Sequence, residues 1–309
     1  MRRYPRELSV AAALVLLLGL LAIFAPAFFE AQPMLSRLAR EAPTLVCACG
    51  MALVIISRQI DISIGSQFAV CSVFAGLLAV AGMPLPLVCA VAIGAGALQG
   101  AFNGALIAGL RLPSIVVTLA TMAILREGLR WFQQGQFVDL PEGGQWFGLS
   151  QAAGQWTLLA AACALFLLMA FAMKRLAVGR FVYAVGSSAE AARLAGIPPR
   201  RVTFGVFVLM GALTGLAAVM NLVQSPQVDP KAGSGLELKA IAVAVVGGVA
   251  ISGGRGNLWG VFAGLLLLAC INPALTHLHV EAYWEKAIQG GIILLAVFAD
   301  GLRARRLTR

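Results

Sequence analysis

The residues able to do chemistry are few, and their spacing argues against catalysis. His277 and His279 are the only histidines; no Asp or Cys pattern surrounds them, so they read as interfacial residues at the end of an apolar run. Of the six cysteines, only Cys47 and Cys49 lie close, and one intervening residue fits neither a zinc pair nor a redox CxxC. Gly253-Gly254-Arg255-Gly256 is glycine-rich but lacks the GxxxxGK[ST] pattern of a phosphate-binding loop, and it reads as a tight turn. A chain without that loop cannot hydrolyse ATP through it. Glu127 and Glu237 fall near the ends of apolar segments rather than in their middles. Asp61-Ile-Ser63-Ile-Gly65-Ser66 permits two readings: Asp and Ser cap a helix start, or the segment is a broken helix lining a pathway. Gln99, Asn103 and Asn221 interrupt apolar runs, where they either face a hydrated path or hydrogen-bond neighbouring helices.

One polar segment has a definite local structure. Ser187-Ser-Ala-Glu190 has the form of a capping box, Ala191, Ala192 and Leu194 favour helix, and Gly196 suits a left-handed C-terminal position. Pro198-Pro199 stops continuation. This predicts a helix of about eight residues, roughly 12 Å long. Such a helix is either a connector or a shape that lodges in a groove of a partner.

The elements that position these residues are set by composition. Of 309 residues, 60% are apolar and 12% charged, with a mean hydropathy of +0.90. Soluble proteins carry about 25% charged residues, and no soluble core of this size could hide so much apolar surface. Disorder, a disulfide scaffold and a secreted globular enzyme are excluded; the chain reads as an all-α polytopic membrane protein. Charges and Pro/Gly clusters divide it into ten candidate spans: about 8–29, 42–57, 65–81, 84–110, 112–132, 155–173, 202–224, 237–253, 256–275 and 283–299. The first resembles a secretory signal, but 22 uncharged residues are enough to cross the bilayer and favour an uncleaved helix.

The net charge of +10 matters through its distribution and does not point to nucleic acid. With the N-terminus inside, alternating spans place 16 basic residues inside and seven outside, as the positive-inside rule requires. The longest inner loop is 174–201, and the outer loop 133–154 contains no Lys or Arg. Gly96, Leu98, Gly100, Phe102 and Gly104 recur 160 residues later as Gly256, Leu258, Gly260, Phe262 and Gly264. The two copies fall on spans four and nine, which cross in opposite directions, so the single domain 1–309 reads as an inverted 5+5 repeat with halves 8–132 and 155–299. Glycines four apart let helices approach closely and mark packing surfaces.

Several blocks, in order from about 45 to 301, resemble the permease subunits of ABC-type sugar importers. Gly179-Arg180-Phe-Val-Tyr-Ala-Val-Gly186 followed by Glu190-Ala-Ala-Arg-Leu-Ala-Gly196-Ile is similar to that family's coupling loop. Ile60-Asp61-Ile-Ser-Ile-Gly65 resembles its IDLSVG motif, and Gly233–Ala242 running into Val246-Gly-Gly248 and Ser252–Gly256 resembles a third block. Tyr283-Trp284 and Phe298-Ala-Asp300-Gly301 resemble most the autoinducer-2 and rhamnose branch. Val249 departs from the small hydroxyl residue often found there. The resemblance implies import of a small sugar or sugar-like molecule across the bacterial inner membrane by alternating access. The implied partners are two cytoplasmic ATP-binding subunits, a second permease subunit (identical or different) and a periplasmic binding protein, with ATP held by the partner and no cofactor on this chain. Coupling to the ATPase is expected at Gly186, Glu190, Ala191, Ala192 and Gly196, and structural or pathway roles at Asp61, Ser63, Gly65, Gln99, Asn103, Gly104, Asn221, Gly253, Gly254 and Gly256. The rivals are an ion-coupled secondary carrier, which needs acids or coordinating half-helices at mid-membrane, and an intramembrane enzyme, which needs a clustered nucleophile, base or metal set.

Overall fold

The computed structural model describes residues 5–277 except Ala25 and Glu142, together with Trp284, Ala287, Gly290, Gly291 and Leu294. Apart from those last five, the residues of the expected tenth span and of the closing motifs around Tyr283 and Asp300 lie outside the described residues. The described chain is nearly all helix: α1 (Pro5–Phe24), α2 (Ala31–Ile56), α3 (Ile64–Val80), α4 (Leu85–Gly104), α5 (Ser114–Gln133), α6 (Gln151–Arg175), α7 (Ala177–Ser187), α8 (Ala189–Leu194), α9 (Pro199–Leu222), α10 (Leu236–Val246) and α11 (Leu258–His277). Four of these, α2, α4 with its C-terminal extension, α6 and α9, are long and apolar enough to cross a membrane.

The second, sixth and eighth expected spans change length, the sixth growing to the 25 residues of α6. The second begins near residue 31 rather than 42, because its early charges find partners: Arg37 donates to the Phe28 carbonyl and lies over the Phe28 ring, and Lys239 donates to Glu41. Pro43 sits inside this helix without ending it. The eighth span is cut short, since α10 is only 11 residues long and stops at Gly247 and Gly248. The sequence also gave no hint of the two-residue ribbon pairing Val138 with Val228 and Asp139 with Gln227.

The core is built around α2, whose residues from Ala42 to Ile56 are all buried. A helix apolar on every side belongs at the centre of a bundle. It packs against α6, α9, α10 and α11. The glycine stripe of α4 forms the closest helix contact: Gly96 and Gly100 abut Gly211 and Phe207 of α9, and Gly215 abuts Ala92, leaving no room for any Cβ. Close backbone approach of this kind gives van der Waals contact that Leu against lipid cannot better. In the second copy, Gly260 and Gly264 lie against Val243 and Gly247 of α10. Contacts of α3 with α4 and α9 are matched by those of α10 with α11 and α2.

Candidate translocation and coupling site

Two short helices define the interior. α3 starts after Ser63, and α10 starts after Gly235, which has φ +87°. Their N-terminal ends meet: a Cβ on Gly65 would strike the Glu237 carboxylate and the Gly233 carbonyl. Helix N-termini carry partial positive charge, so an acid in the first turn of α10, beside the first turn of α3, stabilises both ends. Glu237 Oε2 is buried without a hydrogen-bond partner.

Beside this junction lies a cavity of about 360 Å³, bounded by Arg40 and Thr44 of α2, Phe68 of α3, Asn221 of α9, the backbone of 232–236 and Lys239 of α10. Its size suits a small molecule. Lys239 Nζ donates to Glu41 Oε1 at 2.7 Å, joining α2 to α10 across the cavity wall. Arg126 of α5 donates to the Ala232 carbonyl at 3.3 Å.

A buried polar network runs from the α2–α3 connection into α4 and α5. The Ser63 backbone N–H donates to Asp61 Oδ1 at 2.9 Å, and the Ser63 hydroxyl donates to the same oxygen. Gln67 Nε2 and Asn103 Nδ2 donate to Ser63 Oγ at 2.6 and 2.9 Å, and Thr121 Oγ1 donates to Asn103 Oδ1 at 2.7 Å. Asp61, Ser63, Gln67 and Asn103 are fully buried, and Asp61 Oδ2 has no partner. Burial pushes the Asp61 carboxyl up to about 6, against the Ser63 hydrogen bonds that pull it down. Asp61 therefore forms a turn with Ser63 and is not the terminal cap residue, which is Ser63 itself, with no side-chain cap bond. Of the three mid-span polar residues, Asn103 ties helices together, Gln99 donates to Cys71 Sγ at 3.6 Å, and Asn221 lines the cavity.

The opposite end gathers the segments expected inside. Gly254 N–H donates to the Ile56 carbonyl at 2.8 Å, Arg58 Nε to Ser252 O at 2.7 Å, and the Tyr183 hydroxyl to Gly256 O at 2.8 Å. A side chain on Gly186 would strike Ile56 O, and Gly253 lies against Arg58 and Gly186 O. Gly104, at the end of α4, packs on Phe204 and Phe207. The expected helix of about eight residues forms as the six-residue α8, preceded by a separate, unforeseen helix, α7. The N-cap is Ser188, whose Oγ accepts from Ala191 N–H at 3.2 Å, so the capping box expected from Ser187 does not form. Glu190 instead pairs with Arg193 at 2.7 Å, and that bond holds the Arg193 guanidinium above its ordinary value. Gly196, with φ +80°, closes a Schellman motif: Ile197 N–H donates to Ala192 O and Gly196 N–H to Arg193 O. Leu194 and Ala191 are exposed, while Ala192 is buried.

Gln67, Thr118, Thr121, Arg40 and the Glu41–Lys239 pair were not singled out from sequence. Thr118 and Thr121, three apart on α5, were a legible polar stripe. The pairing of Glu41 with Lys239, 198 residues away, has no local signal.

Helices long and apolar enough to cross a membrane, two shorter helices whose N-terminal ends meet, and a cavity of mixed lining beside that junction are the features of a membrane permease. The chain belongs to the family described as branched-chain amino acid transport system / permease component, which it matches over residues 34–297. It is 35% identical over 305 residues to the autoinducer 2 import system permease protein LsrC of Enterobacter sp. (strain 638), covering 98% of this chain and 89% of that protein. The LsrC of Klebsiella pneumoniae is likewise 35% identical over 305 residues, with the same coverage. The LsrC of Salmonella typhi is 32% identical over 303 residues, covering 96% of this chain and 86% of that protein. No solved structure gives a significant match. The resemblance to ABC sugar-importer permeases read from the motifs therefore stands.

Proposed function

We propose that this chain is the membrane-spanning subunit of a binding-protein-dependent importer that carries autoinducer 2 or a related small sugar-like molecule into the cytoplasm. The observation that carries the substrate class is the likeness to autoinducer 2 import permeases over nearly the whole chain. The cavity agrees with it: Thr44, Asn221, Arg40 and Lys239 offer hydrogen bonds to hydroxyls.

In this reading the protein lies in the bacterial inner membrane as ten helices in two inverted halves, with the cavity facing outward and α8 facing the cytoplasm. A second permease copy or homologue completes the pathway, a periplasmic protein delivers the ligand, and two ATPase subunits bind α8. Exposed Leu194 on a helix capped at both ends supplies the apolar knob for a groove in the ATPase. Closure of the ATPases pushes α8. The rigid contact of Gly186 and Gly254 with Ile56 passes that movement to α2, which lines the cavity through Arg40 and Thr44. A proton-coupled carrier is the second reading, favoured by the unpartnered buried oxygens of Asp61 and Glu237.

Vesicles containing the chain, its ATPase and its binding protein decide between these. Importer function requires uptake of autoinducer 2 that depends on ATP and fails with the chain alone. Uptake of leucine in its place removes the substrate assignment, and uptake driven by a pH gradient without the ATPase removes the importer.

A further inference from the structure

A second cavity, of about 310 Å³, opens where the α4–α5 turn meets the start of α9, on the same end as Gly254 and α8. Arg111, Arg200, Gln59, Ser114 and Thr203 supply its polar lining, which holds two cations and no acid. The approach to it is irregular: α4 ends in a π turn over Ala105–Gly109, and Arg111 adopts φ +60°. π turns and left-handed non-glycine residues are conformations that persist where surrounding structure holds them for a purpose. The 24-residue α9 begins at Pro199 after Pro198, which provides no side-chain cap, so its first turn presents unmet N–H groups and the positive end of its dipole. Thr203 is 7% exposed and lines the cavity, and among the described residues its hydroxyl has no hydrogen-bond partner. That hydroxyl opens into the cavity and is free to donate to what enters it.

Two guanidiniums, a helix N-terminus and an unpaired hydroxyl around one hollow suit a phosphate group. The rim decides which kind. Leu110, Leu112 and Ile115 beside the turn, and Phe204 on α9, are exposed apolar side chains next to the charged lining. A free ion gains nothing from such a rim, whereas a phospholipid places its acyl chains there while its headgroup enters the hollow. The end of the protein concerned is the one expected to face the cytoplasm, the side where basic pockets between helices meet anionic lipids. We propose that this cavity binds the phosphate of an anionic phospholipid of the inner leaflet, with Arg111 and Arg200 as its two cationic contacts and Thr203 as a hydroxyl donor. The site is separate from the outer cavity, and its lipid would hold the α4–α5 turn against α9.

The test is native mass spectrometry of the purified full-length chain with phosphatidylglycerol, phosphatidylcholine or inorganic phosphate. The wild type is expected to retain phosphatidylglycerol at least tenfold better than phosphatidylcholine. Arg111→Gln with Arg200→Gln should bring retention down to the phosphatidylcholine level, and Thr203→Val should lower it a few-fold. Arg175→Gln with Arg180→Gln, which removes two cations elsewhere, should change nothing. Protection of the buried cysteines from a thiol reagent checks that each variant is folded. Retention by the Arg111/Arg200 double variant equal to wild type overturns the proposal. Equal binding of the two lipids does the same, as does binding of inorganic phosphate as tight as that of phosphatidylglycerol, which marks an ion site. Displacement of the lipid by the ATPase subunit assigns the cavity to a protein contact instead and equally overturns it.

Discussion

Replacing Lys239 by Met tests whether the cavity beside the α3–α10 junction is held together by one ion pair. Lys239 Nζ lies 2.7 Å from Glu41 Oε1, with side chains 23% and 17% exposed, and Glu41 Oε2 is already without a partner. Two charges about 4 Å apart at an effective dielectric of 20 attract by about 4 kcal/mol, a gain largely offset by the cost of burying both. Removing one partner leaves Glu41 buried and unpaired, at a cost of about 3 kcal/mol. Removing both, as Lys239→Met with Glu41→Leu, leaves an apolar contact and should return to within about 1 kcal/mol of wild type. The two changes are therefore strongly non-additive, the double variant losing far less than the sum of the two singles. Thermal unfolding can be followed by a fluorogenic thiol reagent, because Cys47, Cys49 and Cys71 are buried and become reactive only on opening. Lys239→Met should melt roughly 6 °C below wild type. Because the pair is partly buried, moderate salt should change this little. A single variant that melts with wild type, or a double variant whose loss equals the sum of the singles, would refute the reasoning.

Three further outcomes follow from the geometry. Gly196→Val forces a β-branched residue to φ +80° where no neighbouring atom interferes, so its cost is conformational, roughly 1–2 kcal/mol. ATPase co-purification and uptake should both fall, whereas Glu190→Ala should leave stability nearly unchanged, because its pair with Arg193 is exposed. Asn103→Leu breaks the bonds to Ser63 and Thr121 and should destabilise by about 1–2 kcal/mol in the same melting assay, with Thr121→Val the milder change. Gly186→Ala drives a methyl group into the Ile56 carbonyl and should abolish assembly with the ATPase on a pull-down, whereas Gly205→Ala, with open space around it, should leave assembly unchanged.

The sequence by itself determined the solvent, the helical class and the family, because each rests on composition or on residues close together in the chain. Apolar runs must be helical in lipid whatever they pack against, since no water remains to satisfy the backbone. The glycine spacings of α4 and α11 announced close-packed faces before any partner was known, and Gly196 with Pro198 marked the end of α8 from local backbone limits alone. Tertiary structure decided where polar groups ended up. Whether α2 starts at residue 31 or 42 depended on Lys239 and Phe28 being there to receive Glu41 and Arg37, and hydropathy registers only the cost of those charges. Asn103 and Asn221 look alike in sequence; one was drawn into a network with Ser63 and Thr121, while the other was left facing a cavity. The shortness of α10 and the meeting of its N-terminus with α3 also came from packing, because a helix may end inside the protein only where other backbone and side chains replace the missing partners. Hydrogen bonds and ion pairs join groups by position in space, and a linear pattern carries no record of which distant residue will stand within 3 Å.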